Sequence, residues 1–477
     1  MVTGEALTRD ALARRTGLPT PTPPVRIVHL GLGAFHRAHQ AWYTARASDG
    51  AEWGIAAFTG RSPQAALELS PQDGLYTLIE RAESGDSATV ITSIVEANDG
   101  ADVARLAELL RKPAVAIVTL TITEAGYRLD SAGRPDPADP SVAADVALLR
   151  DRLTAPSTTT PPASALQAAP SLQTTLGRLL FGLNERRTAE AASGIAAPIA
   201  VVPCDNLPGN GPIVEAALLA LAEDIDPSLA AWIAGSVSFV STSVDRITPK
   251  TTPADLESAT RLTGWHDAAP VMTEPFSDWV LSGDFPAGRP DWESAGARFV
   301  DEIAPFENRK LWLLNGAHSL LAYTARQRGH ETVASAIADP GCLDAVNAFW
   351  AEAVIHLPGD VDLQLDAYRR ALLERFGNTR IEHRLAQIAN DAVGKLRIRI
   401  VPVVLAEWAA GRSGDASLSV IRGWISQVLP GGVLHDGVMT DAVEAQVRAA
   451  AALPEGASEA LLGLIDPRLI PLEGENP

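Results

Sequence analysis

The sequence has few cysteines, a deficit of basic residues and no long apolar run. Only Cys204 and Cys342 occur among 477 residues, so no disulfide framework or CxxC zinc spacing is present. Lys and Arg number 39 against 58 Asp and Glu, and the net charge of −19 argues against a nucleic-acid partner. Because no run approaches about 18 apolar residues and no apolar signal core precedes residue 25, we expect no membrane span and a reduced, cytoplasmic protein.

The first half of the chain alternates apolar strands with helical segments. The runs "VRIVHLGLGAF" at 25–35, "WGIAAFTG" at 53–60 and "AVAIVTLTIT" at 114–123 are almost continuously apolar. "IAVVPCDNL" near 199 and "GSVSFVSTSVDRI" near 235 extend the same pattern. Strands of this composition are buried on both faces, so the pattern predicts a parallel sheet covered by helices on each side.

The length and a change of composition predict two domains. After "GDFPAGRPDW" at 283–292, helical periodicity dominates, although "LRIRIVPVVL" at 396–405 fits either a strand or a buried helix. We therefore predict a doubly wound α/β domain over residues 1–288 and a mostly α-helical domain over residues 289–477. Within the first domain, the Pro/Thr-rich residues 154–171 are expected to form an exposed connection.

A glycine turn follows the first apolar strand in "HLGLGAFHRAH". Gly31 permits a tight turn, and Gly33 would let a pyrophosphate approach backbone N–H groups at a helix start. The third glycine of GxGxxG is replaced by His36, so a purely structural turn is an alternative. His36, Arg37 and His39 either line a phosphate or face solvent.

The acidic residue expected after the second strand of a dinucleotide-binding unit is missing. "AAFTGRSPQ" offers Arg61 instead, either as a contact for a ribose 2′-phosphate, which favours NADP, or as a surface arginine. Ala34 and Phe35 at the helix start and Thr121 after the third strand complete the predicted cofactor-binding set.

The segment "ENRKLWLLNGAHSLLAY" at 307–323 reads as a buried helix that carries Lys310, Asn315 and His318 among its leucines. Lys310, Asn315 and His318 fall within an arc of roughly 140° at about 100° per residue. Burial lowers the pKa of a lysine, and a neutral amine is a general base. The alternative is a partly exposed helix whose lysine extends to solvent. Because all three share one face, a lined cavity is the favoured interpretation.

"KLWLLNGAHS" resembles the Lys-x4-Asn-x2-His signature of the polyol-specific long-chain dehydrogenases, the mannitol dehydrogenase family. Further similar stretches occur in the family's order: "IVHLGLGAFHRAHQAWYT", "TLTITEAGY", "CDNLPGNG", "SVDRITP", "EPFSDWVLSGDFPAGRPDW" and "ERFGN". They span residues 27 to about 400, so the resemblance covers most of the chain.

The resemblance implies a Rossmann-type N-terminal domain, a helical C-terminal domain, an active site between them and no metal. It assigns Lys310 as the general base during oxidation of a carbinol by a nicotinamide cofactor. Asn206 and Asn315 would hold the reacting oxygen, and His318 a neighbouring hydroxyl. Glu307 lies where the family has a glutamate that passes protons to solvent. These assignments come from the resemblance, although several fixed polar groups also suit a polyol.

The predicted substrate-binding residues depart from the mannitol pattern. Lys395 matches a substrate-binding lysine, but Gln387 stands where mannitol enzymes carry an arginine, and Arg384 could supply that charge. This resembles the fructuronate reductase branch, whereas "CDNLPGNG" and "VDRITP" are closer to the mannitol branch. We therefore predict mannitol 2-dehydrogenase activity on D-mannitol and D-fructose, with D-fructuronate reduction to D-mannonate as the alternative. NAD is the expected cofactor, NADP is permitted, and the protein is a monomer or small homo-oligomer.

Two other classes of protein fit the sequence less well. A non-catalytic sugar- or nucleotide-sensing module would have no need of Lys310 as a base. Sugar epimerases and short-chain dehydrogenases use a Tyr-x3-Lys pair, and neither "YRLD" at 127 nor "YRRA" at 368 provides the lysine.

Overall fold

A computed structural model of the chain describes residues 4–154, 171–435, 437 and 439–470. Residues 155–170 of the predicted exposed connection lie outside them. The chain divides into two compact units, residues 1–303 and 304–477. The division falls beyond the predicted boundary at 288/289 because Trp292 is fully buried in the first unit and a strand at Arg298–Phe299 pairs within it.

The strands all lie in the first unit, as far as the described residues show. They are β1 (Glu5–Ala6), β2 (Val25–Leu30), β3 (Gly54–Phe58), β4 (Tyr76–Ala82), β5 (Gly85–Ile91), β6 (Ile94–Asn98), β7 (Ile117–Leu120), β8 (Ile199–Pro203), β9 (Val237–Phe239), β10 (Ser241–Asp245), β11 (Trp265–His266), β12 (Val271–Thr273), β13 (Asp278–Ser282) and β14 (Arg298–Phe299).

The α-helices of this unit are Arg9–Thr16, Ala34–Ala38, Gln40–Arg46, Gln64–Leu69, Val103–Leu110, Pro140–Thr154, Thr175–Ser193, Asn210–Ile225, Pro227–Ser236 and Pro253–Thr263. Short 3-10 helices lie at Gly50–Glu52, Ser70–Gln72, Glu124–Gly126 and Trp292–Ala295.

Six strands form a parallel sheet in the order β6-β3-β2-β7-β8-β9. Numbered along the chain this is 3-2-1-4-5-6, the order of dinucleotide-binding folds. Alternate residues of β2 enter separate cores, Val28 and Leu30 on one face and Ile27 on the other. The predicted doubly wound sheet is confirmed. Its strand order reverses between β2 and β7, the switch point where such sheets bind ligands.

The predicted continuation of this sheet through residues 235–247 is only half right. Strand β9 joins the parallel sheet, but β10 pairs antiparallel with β13 in a separate three-stranded sheet that β14 completes. Val240, between the two strands, is fully buried and donates its N–H to Val201 O at 2.9 Å. The chain therefore changes sheets over one residue, because each strand satisfies its backbone groups with a different neighbour. The remaining sheets have the orders β12-β4-β5 and β1-β11.

The second unit is helical in its described residues, as predicted. Its helices are Ala304–Arg309, Ala317–Thr324, Val333–Ile337, Pro340–Val354, Leu365–Gly377, Leu385–Ile388, Ala392–Arg399, Val401–Ala409, Asp415–Val428, Glu444–Ala451 and Ala457–Ile465, with a π-helix at Lys310–Gly316 and 3-10 turns at Arg326–Arg328 and Pro467–Leu469. The ambiguous run at 396–405 is helical. Among the described residues no helix is both long and apolar enough for a membrane span.

Candidate active site

Gly31 is fixed by the fold at the switch point of the parallel sheet. Its φ of +113° is a conformation that glycine adopts readily and that other residues rarely adopt. A Cβ at this position would lie 2.2 Å from the carbonyl oxygen of Thr121. The N–H groups of Gly31 and Leu32 donate to Phe58 O at 2.9 and 2.8 Å. The turn after β2 is thus held against the ends of both neighbouring strands.

Gly33 is under no such constraint from the chain. Its φ of −143° suits any residue, and a Cβ would meet only Gly31 O, at an ordinary 3.6 Å. Ala34 and Phe35 follow, half-buried, at the start of a five-residue helix. Space is therefore left beside Gly33 at the switch point, and the residues present fit a dinucleotide whose pyrophosphate approaches the backbone closely.

Thr121 supports the turn through its hydroxyl group. The hydroxyl donates its single proton to Gly31 O at 2.8 Å. Thr121 Oγ1 is therefore the acceptor in its 3.0 Å contact with Nε2 of His29, which donates as Nε2–H. Nδ1 of His29 lies 2.8 Å from Thr119 Oγ1. Burial lowers the pKa of His29 to about 3, so the imidazole is neutral and this arrangement persists at physiological pH. Thr121 was predicted to bind cofactor, and its side chain is used in fixing the turn.

The basic residues after the turn are buried, so the solvent-facing alternative is wrong. His36 is fully buried and its ring stacks on His29 at 3.3 Å between centroids. Arg37 donates to Ala269 O at 2.5 Å and to Gly33 O at 3.2 Å, and His39 donates to Asp278 O at 3.2 Å. Segments more than 200 residues away supply two of these acceptors, which is why the local sequence did not reveal the burial.

Arg61 lies exposed in the loop that follows β3. That loop leaves the sheet beside the glycine turn, because β3 pairs with β2. The contact between Arg61 and a ribose 2′-phosphate stays a prediction.

Asn206 lies in a loop anchored on both sides after β8. Asp205, before it, is buried and accepts hydrogen bonds from the hydroxyl of Tyr127 and from the N–H of Leu207, the latter at 3.0 Å. Asn210, after it, exchanges two hydrogen bonds with the backbone of Thr242, at 3.0 and 2.9 Å. Asn206 itself is exposed. The loop thus presents Asn206 from an anchored base, and the residues that form this base were not predicted from the sequence.

In the second unit, the predicted continuous α-helix at 307–323 contains a π-helix over Lys310–Gly316. The arc calculated at 100° per residue is therefore wrong for this segment. A π-helix bonds residues five apart, so Lys310 and Asn315 lie about one widened turn from each other. Gly316 permits the close approach of Phe349, whose ring carbon would lie 2.6 Å from a Cβ. The indole of Trp350 donates to Leu313 O at 2.8 Å, bonding a carbonyl of the π-helix.

The three polar residues differ in exposure. Asn315 and His318 are buried at 9% and 7% exposure, whereas Lys310 and Glu307 are half-buried. His318 packs against Phe376 at 5.0 Å and His383 at 4.8 Å between ring centroids. Its Nε2 is buried and has no hydrogen-bond partner among the described residues.

Burial is the main cause that lowers the pKa of His318 well below its usual value. The nearby His383, Arg375, Arg399 and Lys395 act in the same direction. The ring is therefore neutral, with one donor and one acceptor nitrogen.

Of the predicted substrate-binding residues, Lys395 is half-buried and donates to Ile388 O at 3.1 Å and Asn390 O at 2.6 Å. Burial lowers its pKa, and Arg399 adds to the effect. Arg384 and Gln387 are exposed. Arg384 precedes the one-turn helix Leu385–Ile388 as its N-cap instead of lying within it, and it pairs with Glu382 at 3.2 Å.

The chain matches known proteins over most of its length. Models of the mannitol dehydrogenase Rossmann domain and the mannitol dehydrogenase C-terminal domain match residues 25–294 and 302–462. The chain belongs to the mannitol dehydrogenase family. The predicted membership is confirmed, and the protein is an oxidoreductase of this family.

Two curated relatives of this mannitol dehydrogenase family member illustrate its similarity. D-mannonate oxidoreductase of Escherichia coli K12 is 36% identical over 457 residues, covering 92% of this chain and 88% of that protein. Mannitol 2-dehydrogenase of Cereibacter sphaeroides is 35% identical over 392 residues, covering 81% and 77%.

Two solved structures share the fold. D-sorbitol dehydrogenase in substrate-free form aligns with a TM-score of 0.80 at 27% identity, over 95% of this chain and 92% of that one. Mannitol 2-dehydrogenase of Pseudomonas fluorescens, in a ternary complex with NAD and D-mannitol, aligns with a TM-score of 0.75 at 32% identity, over 96% and 91%.

In this family member, Arg399 is a residue of the candidate site that was not predicted from the sequence. It ends the helix Ala392–Arg399 four residues after Lys395, with Nη1 at 3.4 Å from Asn315 O and 3.3 Å from Ser319 Oγ. In the sequence it looked like the end of a helix or strand, and its spacing from Lys395 was the available signal.

A group with metal-ligand chemistry occurs elsewhere in the second unit, at His330, Asp339 and Cys342. Asp339 caps the helix that begins at Pro340 and pairs with Arg328 at 2.8 Å. The carboxylate is thus already engaged by a cation and a helix N-terminus.

Proposed function

We propose that this protein exchanges a hydride between NAD and a secondary alcohol of an open-chain sugar derivative, with Lys310 as the general base. The π-helix carries the proposal. It holds Lys310 and Asn315 about one turn apart, and His318 follows as the second residue of the next helix. Few structural reasons exist for placing an amine, an amide and an imidazole together among the leucines of this helical segment.

Lys310 handles the proton of the reacting hydroxyl group. During oxidation its free amine takes this proton as the C–H electron pair leaves the carbinol carbon, and in the reverse direction the ammonium returns it to the alkoxide. When bound, NAD supplies the hydride acceptor for oxidation and its reduced form the donor for reduction. Glu307 lies one turn before Lys310, in the helix Ala304–Arg309, and is proposed to pass the proton on towards solvent.

Asn315 and His318 are proposed to bind substrate oxygens. The Asn315 amide donates to the reacting oxygen, an interaction that strengthens as negative charge develops on it. His318, being neutral, offers both a donor and an acceptor, which suits a hydroxyl group that itself donates and accepts. Asn206 is proposed as a further amide donor, supported by its rigid loop and by the "CDNLPGNG" resemblance.

NAD is proposed as the cofactor because the switch-point turn leaves room beside Gly33, and because a family member was solved with NAD bound. Gly31, Gly33, Ala34 and Phe35 would carry the pyrophosphate by backbone contact. Arg61 is proposed to allow NADP as well, since no carboxylate occupies the end of β3 to repel a 2′-phosphate.

Two substrate pairs are proposed. D-mannitol with D-fructose is supported by the 35%-identical mannitol 2-dehydrogenase, and D-mannonate with D-fructuronate by the 36%-identical D-mannonate oxidoreductase. Lys395 is proposed to contact substrate in either case, with Gln387 and Arg384 at the exposed edge of the same region.

The test compares wild-type protein with Lys310→Met, using Lys112→Met as a control at an exposed lysine. NADH absorbance is followed with D-fructose and D-fructuronate, and the reverse reaction with D-mannitol and D-mannonate. We expect Lys310→Met to lower turnover by about 10²- to 10⁴-fold while leaving NADH binding unchanged.

Turnover by Lys310→Met close to that of Lys112→Met would remove Lys310 from the mechanism. If the wild-type protein turns over none of the four substrates, both proposed substrate pairs are excluded and the search for the substrate moves to pentitols and other aldonates.

A further inference from the structure

Arg399 has an incomplete set of hydrogen-bond partners. Its two contacts, to Asn315 O and Ser319 Oγ, are 3.4 and 3.3 Å long, and its Nε is buried without a partner among the described residues. Within that part of the chain, no carboxylate lies within ion-pair distance of it. A guanidinium removed from water without a counter-charge is unfavourable unless something else supplies one.

Two buried arginines of the first unit show what a purely structural role looks like here. Arg186 is fully buried and donates to six backbone carbonyls, among them Ala197 O at 2.6 Å and Val115 O at 2.9 Å. Arg246 is also buried and pairs with Glu80 at 2.5 Å. Arg399 has neither a shell of carbonyls nor a carboxylate, so its donors are available to a ligand.

Other cationic side chains lie close to Arg399. Lys395 lies one turn before it on the same helix, and like charges at this spacing repel. Arg375, Arg399 and Lys395 each lower the pKa of His318. Asp391 and Asp441 act to raise the pKa of Lys395 and of Tyr323, whereas burial lowers the pKa of Arg399.

Arg399 also lies beside the residues proposed to bind substrate. Its contacts fall on Asn315 and Ser319, which flank His318 in the chain. Arg399 is partly exposed, and its Nη1 lies 3.4 Å from the backbone oxygen of Asn315. Tyr323, one turn beyond Ser319, adds a buried hydroxyl without a partner in the described structure.

We propose that Arg399 binds the carboxylate of the substrate, so that the second unit selects an acidic sugar derivative, a hexonate or ketohexuronate, over a neutral polyol. The guanidinium presents two parallel N–H groups, which match the two oxygens of a carboxylate. The inference rests on the proposed function for the reaction itself, and it goes further in naming the substrate class and the residue that recognises it.

The test measures KM and kcat for D-fructuronate and D-fructose in Arg399→Met, Arg399→Lys and the control Arg422→Met, an exposed arginine on another helix. We expect Arg399→Met to lower kcat/KM for D-fructuronate by about 10- to 100-fold, mainly through KM, with little change for D-fructose. Arg399→Lys keeps the positive charge but lacks the paired donors, so its kcat/KM for D-fructuronate should lie between those of Arg399→Met and the wild-type protein.

A structural role for Arg399 predicts a different result, an equal loss on both substrates. That outcome, or an unchanged KM for D-fructuronate, overturns the proposal. If Arg399→Met does not fold, the comparison rests on Arg399→Lys, whose loss must again be larger for D-fructuronate.

Binding separates this inference from the proposed function. In calorimetry with NADH-saturated protein, which cannot oxidise D-mannonate, this ligand should bind Lys310→Met with an affinity close to wild type but bind Arg399→Met at least tenfold more weakly. If Lys310→Met retains turnover while Arg399→Met loses D-mannonate binding, the general-base assignment fails and the carboxylate site stands. If D-mannonate binds all variants equally, the carboxylate site fails whatever Lys310 does.

Discussion

The two glycines of the turn after β2 are predicted to fail in different ways when each is replaced by alanine. For Gly31→Ala, the backbone at φ +113° is strained for a side chain, and the new Cβ would lie 2.2 Å from Thr121 O. Strain of this kind costs about 1–3 kcal/mol, and relieving contact with a backbone carbonyl moves β2 relative to β7, so we expect a loss of about 2–4 kcal/mol. Gly33→Ala meets neither obstacle and should leave stability within about 0.5 kcal/mol of wild type.

Urea unfolding with an NADH titration separates these effects. Gly33→Ala should keep its unfolding midpoint but lose NADH affinity, because its methyl group enters the space proposed for the pyrophosphate. Gly85→Ala is the control for backbone strain alone, since Gly85 has a φ of +134° and no atom lies within 4 Å of the position that its methyl group would take. Gly31→Ala should destabilise more than Gly85→Ala.

Two results would refute this reasoning. If Gly31→Ala is no less stable than Gly85→Ala, the turn does not need the close approach to Thr121. If Gly33→Ala binds NADH as tightly as the wild-type protein, the space beside Gly33 is not used by the cofactor.

Two further predictions concern His29 and Arg61. Burial lowers the pKa of His29 from 6.5 to about 3. Between these two pH values the ring therefore binds a proton in the unfolded state but not in the folded state. The stability that this neutral ring provides is full above pH 6.5 and is lost towards pH 3, at up to about 1.4 kcal/mol per pH unit. His29→Gln should flatten the pH dependence of urea unfolding over this range, and an unchanged slope would contradict the linkage. Arg61→Ala should raise KM for NADPH more than KM for NADH, and an equal effect on both would show that Arg61 does not read the 2′-phosphate.

Much of the fold follows from local sequence. Near-continuous apolar strands separated by helical segments predicted a sheet buried on both faces, because a strand without polar alternation has no face for water. The glycine after the first strand marked the turn, since few other residues tolerate its backbone. The polar residues in "KLWLLNGAHS" marked the candidate site, because an apolar helix gains nothing from them in packing.

Tertiary structure decided the features that depend on distant partners. The π-helix at Lys310–Gly316 packs against Phe349 and Trp350, more than thirty residues further along the chain. No pattern within the segment itself predicted a π-helix. The burial of Arg37 depends on a carbonyl 232 residues away.

What the sequence by itself determined was the class of fold, the glycine turn after β2 and the choice of candidate reactive residues, because periodicity, glycine and the chemical type of a side chain are local properties. Only the tertiary structure decided which polar groups are satisfied. Lys395 finds two carbonyls and Arg399 finds no carboxylate among the described residues, although both belong to one short helix. Hydrogen bonding and counter-charge are properties of neighbours in space, and for Arg399 those neighbours come from a helix that precedes it by about eighty residues.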